Sequence, residues 1–202
     1  KGMGFSLDPS QQQAVLAILS STRTVHTVTA GPGCGKTAIM EVVVQVLAAR
    51  NTRSTDYGFA APTGKAAKVL GARIARINAT ARTIHATLGV NEDGFEHNAN
   101  NLLGFKVLVI DESSMLDLLL LDALLQATPM DTHLVLLGDT QQLPSVSPGN
   151  CLADLLSLPF DHHRLSKVHR NQGGILEVVN RAAVGESDTA NREDVRFIPE
   201  LP

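Results

Sequence analysis

The sequence predicts an α/β fold in which a parallel sheet is covered by helices on both faces. Short apolar runs alternate along the chain with longer segments of helical character, an order typical of parallel sheets. Each run is bounded by Gly, Pro or Asp, as expected of strands that are buried on both faces. A glycine-rich turn after the first run leads directly into a helical segment, which is the strand–turn–helix order of the same fold class.

The predicted elements follow in a regular order. A first helix is predicted over 8–19, with Asp8 as its N-cap and Pro9 at its first helical position. Strands are predicted at VHTVTA, YGFAAP, KVLVID and HLVLLG, with a further run, VRFI, near the end of the chain. The other predicted helices span 36–49, 64–77, 114–127, 150–156 and 174–184. Residues 91–101 are the least regular, and the pair DG within them suits a hairpin turn. We expect His162 and His163 to lie in a surface loop.

Composition excludes several classes of protein. Hydrophobic residues make up 44% of the chain and charged residues 18%, as in an ordinary globular domain. No apolar run reaches the roughly 18–20 residues that cross a bilayer, and no secretory signal opens the chain. Two cysteines, Cys34 and Cys151, suit a reducing compartment, so we expect a cytoplasmic protein with no membrane partner. Because the chain starts at Lys1 and not at methionine, we expect a piece of a longer protein.

Charge is distributed unevenly along the chain. Residues 1–110 carry a net charge of +5 and residues 111–202 carry −8. The densest basic segment, opposed only by Asp56, consists of Arg50, Arg53, Lys65, Lys68, Arg73, Arg76 and Arg82. On charge alone a solvated helix face is the favoured interpretation, and a patch for nucleic-acid phosphates is the alternative.

The stretch AGPGCGKT, residues 30–37 and here named the phosphate loop, has the pattern of a phosphate-binding loop with one departure. The strict pattern G-x-x-x-x-G-K-[ST] begins with glycine, and this loop begins with Ala30. At a strand exit a methyl group can fit without blocking phosphate. The loop lies between a predicted strand and a predicted helix, where backbone N–H groups and the helix dipole favour anions. An ordinary glycine-rich turn is the alternative.

Individual residues of the phosphate loop have distinct expected roles. Gly33 and Gly35 permit positive φ and a close approach of the backbone to the ligand. Lys36 is suited to the β- and γ-phosphates, and Thr37 to Mg²⁺. Cys34 is either a small packed residue, which we favour, or a thiol acidified by the helix N-terminus. The loop residues expected to hold nucleotide are Gly31, Pro32, Gly33, Cys34, Gly35, Lys36 and Thr37.

Two further strand exits carry polar residues. In KVLVIDESS, we expect Asp111 to hold Mg²⁺ through water and Glu112 to orient or deprotonate the attacking water, at the end of a strand neighbouring the phosphate loop. Paired acids favour hydrolysis over transfer to a second substrate, although Asp and Ser could merely cap a helix. In HLVLLGDTQQLPSV, Gln142 is placed to sense the γ-phosphate, with a simple turn as the alternative.

The ordered set of motifs resembles that of RecD-like DNA helicases, in the 5′→3′ branch of helicase superfamily 1. The motifs are LDPSQQQAV, AGPGCGKT, APTGKAAKVL, TIHATLG, GFEHN, VIDESSM, GDTQQLPSVSPG and LSKVHRN. They resemble both the stand-alone RecD-like helicases and the α subunit of exodeoxyribonuclease V. The resemblance implies a P-loop NTPase with a RecA-like sheet, which uses ATP and Mg²⁺ and works on single-stranded DNA, with helicase partner subunits an open possibility.

The resemblance also implies roles for individual residues. It assigns Gln11 to reading adenine, Lys36 and Thr37 to phosphate and magnesium, and Asp111 with Glu112 to hydrolysis. Gln142 would link the state of the γ-phosphate to domain movement, and Arg170 would act as an arginine finger. The residues implied to line the DNA path are Pro62, Thr63, Lys65 and His85. Because the basic segment surrounds APTGKAA, the nucleic-acid interpretation of that segment now leads.

The resemblance also sets expectations for the limits of the domain. We expect a motor domain over 1–190, with a hairpin-like insertion near 89–104 resembling the family's strand-separating region, and the start of a following segment at 191–202. The family's second motor domain has no counterpart here, so we expect this segment alone to bind Mg-ATP weakly, hydrolyse it slowly and not unwind DNA. Aromatic content is 3%, which favours phosphate contacts over base stacking. Another P-loop enzyme and a non-catalytic nucleotide-binding module are the alternatives.

Overall fold

The computed structural model describes residues 7–21, 24–31, 33–49, 53–77, 79–92, 94–142 and 145–167. Its strands are β1 (Val25–Ala30), β2 (Tyr57–Ala61), β3 (Arg82–Thr83), β4 (Val90–Asn91), β5 (Gly94–Phe95), β6 (Val107–Ile110), β7 (His133–Gly138) and β8 (Asp161–Leu165). Its helices are α1 (Pro9–Ser20), α2 (Lys36–Ala49), α3 (Gly64–Ile74), α4 (Ile84–Leu88), α5 (Leu118–Ala127) and α6 (Cys151–Leu156). The predicted helix over 174–184, the predicted strand VRFI, Pro32 and Arg170 lie outside the described residues.

Six of the strands form one sheet, in the order β3–β2–β6–β7–β1–β8, and its strand pairings are parallel. The predicted α/β fold with a parallel sheet is therefore confirmed. The four predicted strands β1, β2, β6 and β7 occupy the centre of the sheet. β4 and β5 lie apart and pair antiparallel, Val90 with Phe95 and Asn91 with Gly94. A hairpin therefore forms in the predicted segment, with Gly94 as the first residue of its second strand.

Helices cover both faces of the sheet, because successive side chains of a strand point to opposite faces. On β6, Val107 and Val109 pack into one core cluster with α1, α2 and α3, whereas Leu108 and Ile110 pack into a second cluster with α4, α5 and α6. Burying each such side chain contributes roughly 1.5–3 kcal/mol. No helix in the described part of the chain is long and apolar enough to span a membrane.

Local hydrogen bonds set the helix starts and correct one prediction. Asp8 caps α1 as predicted, with its side chain accepting from the N–H groups of Ser10 and Gln11. The helix predicted over 114–127 begins later, because Ser113–Met115 forms a 3-10 turn. Asp117 then caps α5, accepting from the Leu120 N–H at 2.7 Å.

Strand β8 is absent from the sequence prediction, which places His162 and His163 in a surface loop. That prediction is wrong. The run DHHRL pairs in parallel with β1 at the edge of the sheet, His162 opposite Thr27 and His163 opposite Val28. His162 Nδ1 and Thr27 Oγ1 lie 2.6 Å apart. The run does not look like a strand in sequence because an edge strand is only half covered, so its outward positions stay polar.

Candidate functional site

The phosphate loop joins the end of β1 to the start of α2. Gly33 and Gly35 have φ angles of 78° and 80°, a conformation that residues with a side chain rarely adopt. The Cys34 N–H donates to Gly31 O at 3.4 Å and closes the turn. Because α2 begins at Lys36, the loop presents the open N-terminus of a 14-residue helix, where backbone N–H groups lack carbonyl partners within the helix.

Ala30 and Lys36 meet at the start of this loop. The Ala30 side chain is buried in the first core cluster, and its carbonyl oxygen accepts a hydrogen bond from Lys36 Nζ at 2.8 Å. The methyl group therefore packs into the core, and the glycine of the strict pattern is not needed for space here. Thr37 lies half-buried in the first turn of α2, next to Lys36 in the chain.

Cys34 is a packed residue and not an acidified thiol. Its side chain is buried in the first core cluster. Burial raises the pKa of the Cys34 thiol, and this outweighs the lowering by the Lys36 charge and by the hydrogen bond at Gly31. The acidified alternative is therefore wrong, because loss of water disfavours the thiolate more than the nearby positive charge favours it.

Gln11 ties the phosphate loop to α1. Its side-chain oxygen accepts from the Asp8 N–H at 3.0 Å, which completes a capping box. Its side-chain amide donates to Cys34 O at 3.2 Å. Only 2% of Gln11 is exposed, so its amide is held between these two partners.

Asp111 and Glu112 follow β6, but β6 is not the direct neighbour of β1. Strand β7 lies between them, which corrects the prediction of adjacent strands. Asp111 is 3% exposed and accepts from the Glu112 N–H at 3.0 Å. Burial raises the pKa of Asp111, against the lowering by that N–H and by the charges of Lys36 and Arg73. Loss of water thus disfavours the charged form of Asp111 more than these three groups stabilise it.

Glu112 holds a constrained position beside Asp111. Its φ and ψ are 55° and 39°, the left-handed conformation that is uncommon for residues other than glycine. Its Oε2 atom is buried without a hydrogen-bond partner among the described residues. No group of three or more His, Cys, Asp or Glu side chains in the described ranges could hold a metal alone. Thr37 and Asp111 are of the residue types that hold Mg²⁺, a metal commonly bound by one or two carboxylates together with substrate phosphates.

The end of β7 brings two more polar residues to the same edge. Asp139 is 3% exposed, and its carboxylate accepts from the Gln141 N–H at 3.0 Å. Gln142 is exposed, and its side-chain oxygen lies 3.5 Å from the donor Ser114 Oγ. Asp139 and Ser114 are not among the site residues predicted from the sequence. The position of Asp139 directly after a buried strand could have indicated that it lies at this edge.

An ion pair that no motif in the sequence indicates also lies at this edge of the sheet. Arg73, in the last turn of α3, lies with Nη1 3.8 Å from Asp111 Oδ2. The two residues are far apart in sequence, so only the tertiary fold brings them together. Arg73 belongs to the basic segment, yet its described contact is with the carboxylate of the nucleotide side.

The predicted DNA-path residues occupy the start of α3 and α4. Thr63 caps α3, accepting from the Ala66 N–H at 3.2 Å, with half-buried Pro62 before it and exposed Lys65 in the first turn. His85 is exposed on α4, and its ring lies 5.9 Å from that of Phe95 at a 54° tilt. These residues form a surface beside the carboxyl edge of β2.

Comparisons with known proteins agree with this geometry. An AAA domain family model matches residues 6–198. The ATP-dependent RecD2 DNA helicase of Deinococcus radiodurans is 38% identical over 139 residues, covering 69% of this chain and 18% of that protein. The RecBCD enzyme subunit RecD of Mycolicibacterium smegmatis is 37% identical over 213 residues, covering 94% of this chain and 37% of that protein. The chain thus spans well under half the length of either relative.

The fold is also similar to that of solved structures. The Pif1 helicase of Candida albicans superposes with a TM-score of 0.62 at 21% identity, covering 91% of this chain and 45% of that one. The sheet, with the phosphate loop and the carboxylate pair at one edge, is that of a RecA-like P-loop NTPase. The chain therefore belongs to the AAA domain family, as a RecD-like motor domain of helicase superfamily 1.

Proposed function

We propose that this chain binds and hydrolyses ATP with Mg²⁺ as the motor domain of a DNA helicase that moves along single-stranded DNA and unwinds duplex. One observation carries the proposal. Lys36, the Asp111–Glu112 pair and Gln142 follow three strands of one parallel sheet, at the edge where ligands of such folds bind.

The residues at this edge divide the nucleotide chemistry among them. Lys36 exchanges the Ala30 carbonyl for the nucleotide phosphates, which are the stronger partner for its charge. Thr37 and Asp111 hold Mg²⁺, and bound Mg²⁺ neutralises charge that develops on the phosphates. Glu112 orients or deprotonates the attacking water, for which its unpartnered Oε2 atom is available.

Three further residues are proposed to adjust this chemistry. Gln142 senses the γ-phosphate from the end of β7. Gln11 contacts adenine through the amide hydrogen and the oxygen lone pair that its bonds to Cys34 and Asp8 leave unused. Arg170 supplies the arginine finger, and such a residue is worth about 10³–10⁵ in rate.

We propose that single-stranded DNA lies across the surface formed by Pro62, Thr63, Lys65 and His85. Exposed Lys65 and Lys68 on α3 provide positive charge there. Binding should therefore be sensitive to salt. Because the Mycolicibacterium smegmatis relative is named as an enzyme subunit, we include a partner subunit in the proposal, together with a cytoplasmic location.

The test is the rate of ATP hydrolysis by the full-length protein with and without single-stranded DNA. We expect DNA to raise the rate, because a motor couples the two ligands. A small-molecule kinase would transfer phosphate to another substrate and ignore DNA. A non-catalytic module would bind ATP without turnover, and either result would reject the proposal.

A further inference from the structure

A second concave site lies along the outer edge of β2, away from the phosphate loop. It is a cavity of about 450 Å³, here named the β2 cavity. Its walls combine residues of β2 with others from the segments around β3, α4 and β5 (Tyr57, Phe59, Thr80, Arg82, His97 and Phe105). Its volume falls in the range of ligand-binding pockets.

The β2 cavity exists because β3 is short. β3 pairs with β2 only through Ala60 and Ala61, so Tyr57, Gly58 and Phe59 have no strand partner on that side in the described part of the chain. Phe105 forms the wall at Gly58, where an added Cβ would lie 2.9 Å from the ring. Gly58 thus suits this wall, because a side chain there would push against the ends of the Phe105 and Leu108 side chains.

The walls of the β2 cavity combine aromatic rings with an exposed guanidinium group. The chain has only seven Phe and Tyr residues and no Trp, and three of the seven line this cavity: Tyr57, Phe59 and Phe105. Arg82 is exposed at its rim and has no ion-pair partner among the described residues. Aromatic rings beside a guanidinium suit a ligand with a flat ring and a phosphate.

The position of the β2 cavity selects among such ligands. Arg82 and Thr87 line it, and they flank the segment Thr83–His85 that carries the proposed DNA-path residue His85. The cavity lining and the proposed DNA surface therefore share the segment Arg82–Thr87. We propose that the β2 cavity receives one base of the single-stranded DNA, with Arg82 on an adjacent phosphate, an inference that rests on the proposed function.

The chain provides its own probe for this site. Tyr57 is its single tyrosine and it has no tryptophan, so intrinsic tyrosine emission reports on the β2 cavity alone. The test titrates the 202-residue chain with oligothymidylate of about 16 nucleotides and with an abasic strand of equal length and charge. We expect oligothymidylate to quench Tyr57 and to bind roughly tenfold more tightly than the abasic strand.

Variants separate the base contact from the phosphate contact. Phe105→Leu should weaken binding of oligothymidylate severalfold and leave the abasic strand unchanged. Arg82→Gln should weaken both, whereas Arg164→Gln, which removes the same charge from the opposite edge of the sheet, should weaken neither. Thermal melting of each variant checks that it is folded.

The outcomes distinguish the two proposals. Binding of oligothymidylate with unchanged Tyr57 emission, or equal binding of the abasic strand, rejects the base site and leaves the helicase proposal standing. Binding of neither strand rejects both. Equal quenching by free thymidine monophosphate at the same nucleotide concentration would make the β2 cavity a mononucleotide site and overturn the base-capture proposal.

Discussion

The carboxyl edge of the sheet and the outer edge of β2 are encoded in different ways. At the carboxyl edge, the proposed nucleotide residues lie in short contiguous motifs, each directly after a strand. At the outer edge of β2, the cavity walls come from separate segments, and those segments form no single motif. A phosphate cradle requires particular residues at fixed spacing, whereas a cavity requires only surfaces that the fold brings together.

This difference sets what mutations should do at each place. At the carboxyl edge, substitutions of the proposed nucleotide-binding side chains should remove chemistry while the fold remains intact. At sites defined by packing, substitutions should change stability or affinity by smaller amounts.

The largest effect is expected from Lys36→Ala in the full-length protein. The nucleotide phosphates lose their main cation, so DNA-stimulated ATP hydrolysis should fall by about 10²–10³ or more. Lys106→Ala is the matched control, because Lys106 lies before the first residue of β6, at the end of the strand away from the phosphate loop. Its Nζ atom is 3.1 Å from Asp56 Oδ2. Steady-state hydrolysis rates for both variants check this, and turnover retained in Lys36→Ala would mean that the phosphate loop has been misinterpreted.

A stability effect of roughly 1–3 kcal/mol is expected from Gly138→Ala, at the end of β7. An added Cβ would lie 2.5 Å from Leu152 Cδ2, 2.7 Å from Ser113 Oγ and 3.2 Å from the Ser114 nitrogen. Gly64→Ala is the control, since its Cβ would meet nothing within 4 Å. Urea unfolding measures both, and equal stability of the two variants would show that packing does not restrict the carboxyl edge.

Stability should also fall in mild acid. Burial lowers the pKa of His133. Burial also lowers the pKa of His163, and this outweighs the raising effect of the Asp161 charge. The unfolded chain then takes up protons at a higher pH than the folded chain. Stability is therefore complete above the ordinary histidine pKa of about 6.5 and is lost as the pH falls from there toward the lowered folded values.

Thermal melting between pH 7.5 and 5 measures this loss. His163→Gln should flatten the pH dependence, and so should His133→Gln. An unchanged pH dependence of stability in His163→Gln would mean that burial of His163 in β8 does not cause the loss of stability in acid.

The smallest effect is expected from Lys65→Ala. DNA affinity should fall only a few-fold, and the slope of log affinity against log salt should decrease by about one, because one phosphate contact is lost. Titrations at several salt concentrations measure the slope, with Arg164→Gln, at an exposed position of the edge strand β8, as control. A slope identical to that of the wild type would mean that Lys65 contacts no phosphate, and would favour a solvated surface as the interpretation of the basic segment.

The sequence predicts the fold well where burial is complete. The four central strands are apolar runs because both of their faces are covered, and their ends locate Lys36, Asp111 and Gln142. Strand β8 escapes prediction because an edge strand keeps polar residues. The left-handed Glu112 and the Arg73–Asp111 contact escape it because they arise from tertiary structure and not from spacing.

The order of the strands in the sheet also cannot be predicted from local sequence patterns. Nothing in KVLVIDESS or HLVLLGDTQQ indicates that β7 inserts between β1 and β6. Chain order alone would place β6, which comes before β7 in the chain, beside the strand that carries the phosphate loop. The roles of the proposed site residues remain predictions in the same sense, since contacts with ligand define them.

The most direct test of the central claim is a crystal structure of the chain with Mg²⁺ and a non-hydrolysable ATP analogue. Our account predicts that Lys36 Nζ leaves the Ala30 carbonyl for the phosphates. It also predicts that the phosphates rest on the N–H groups of the phosphate loop and that the metal lies with Thr37 and Asp111. A nucleotide bound elsewhere, with Lys36 still on Ala30, would contradict it.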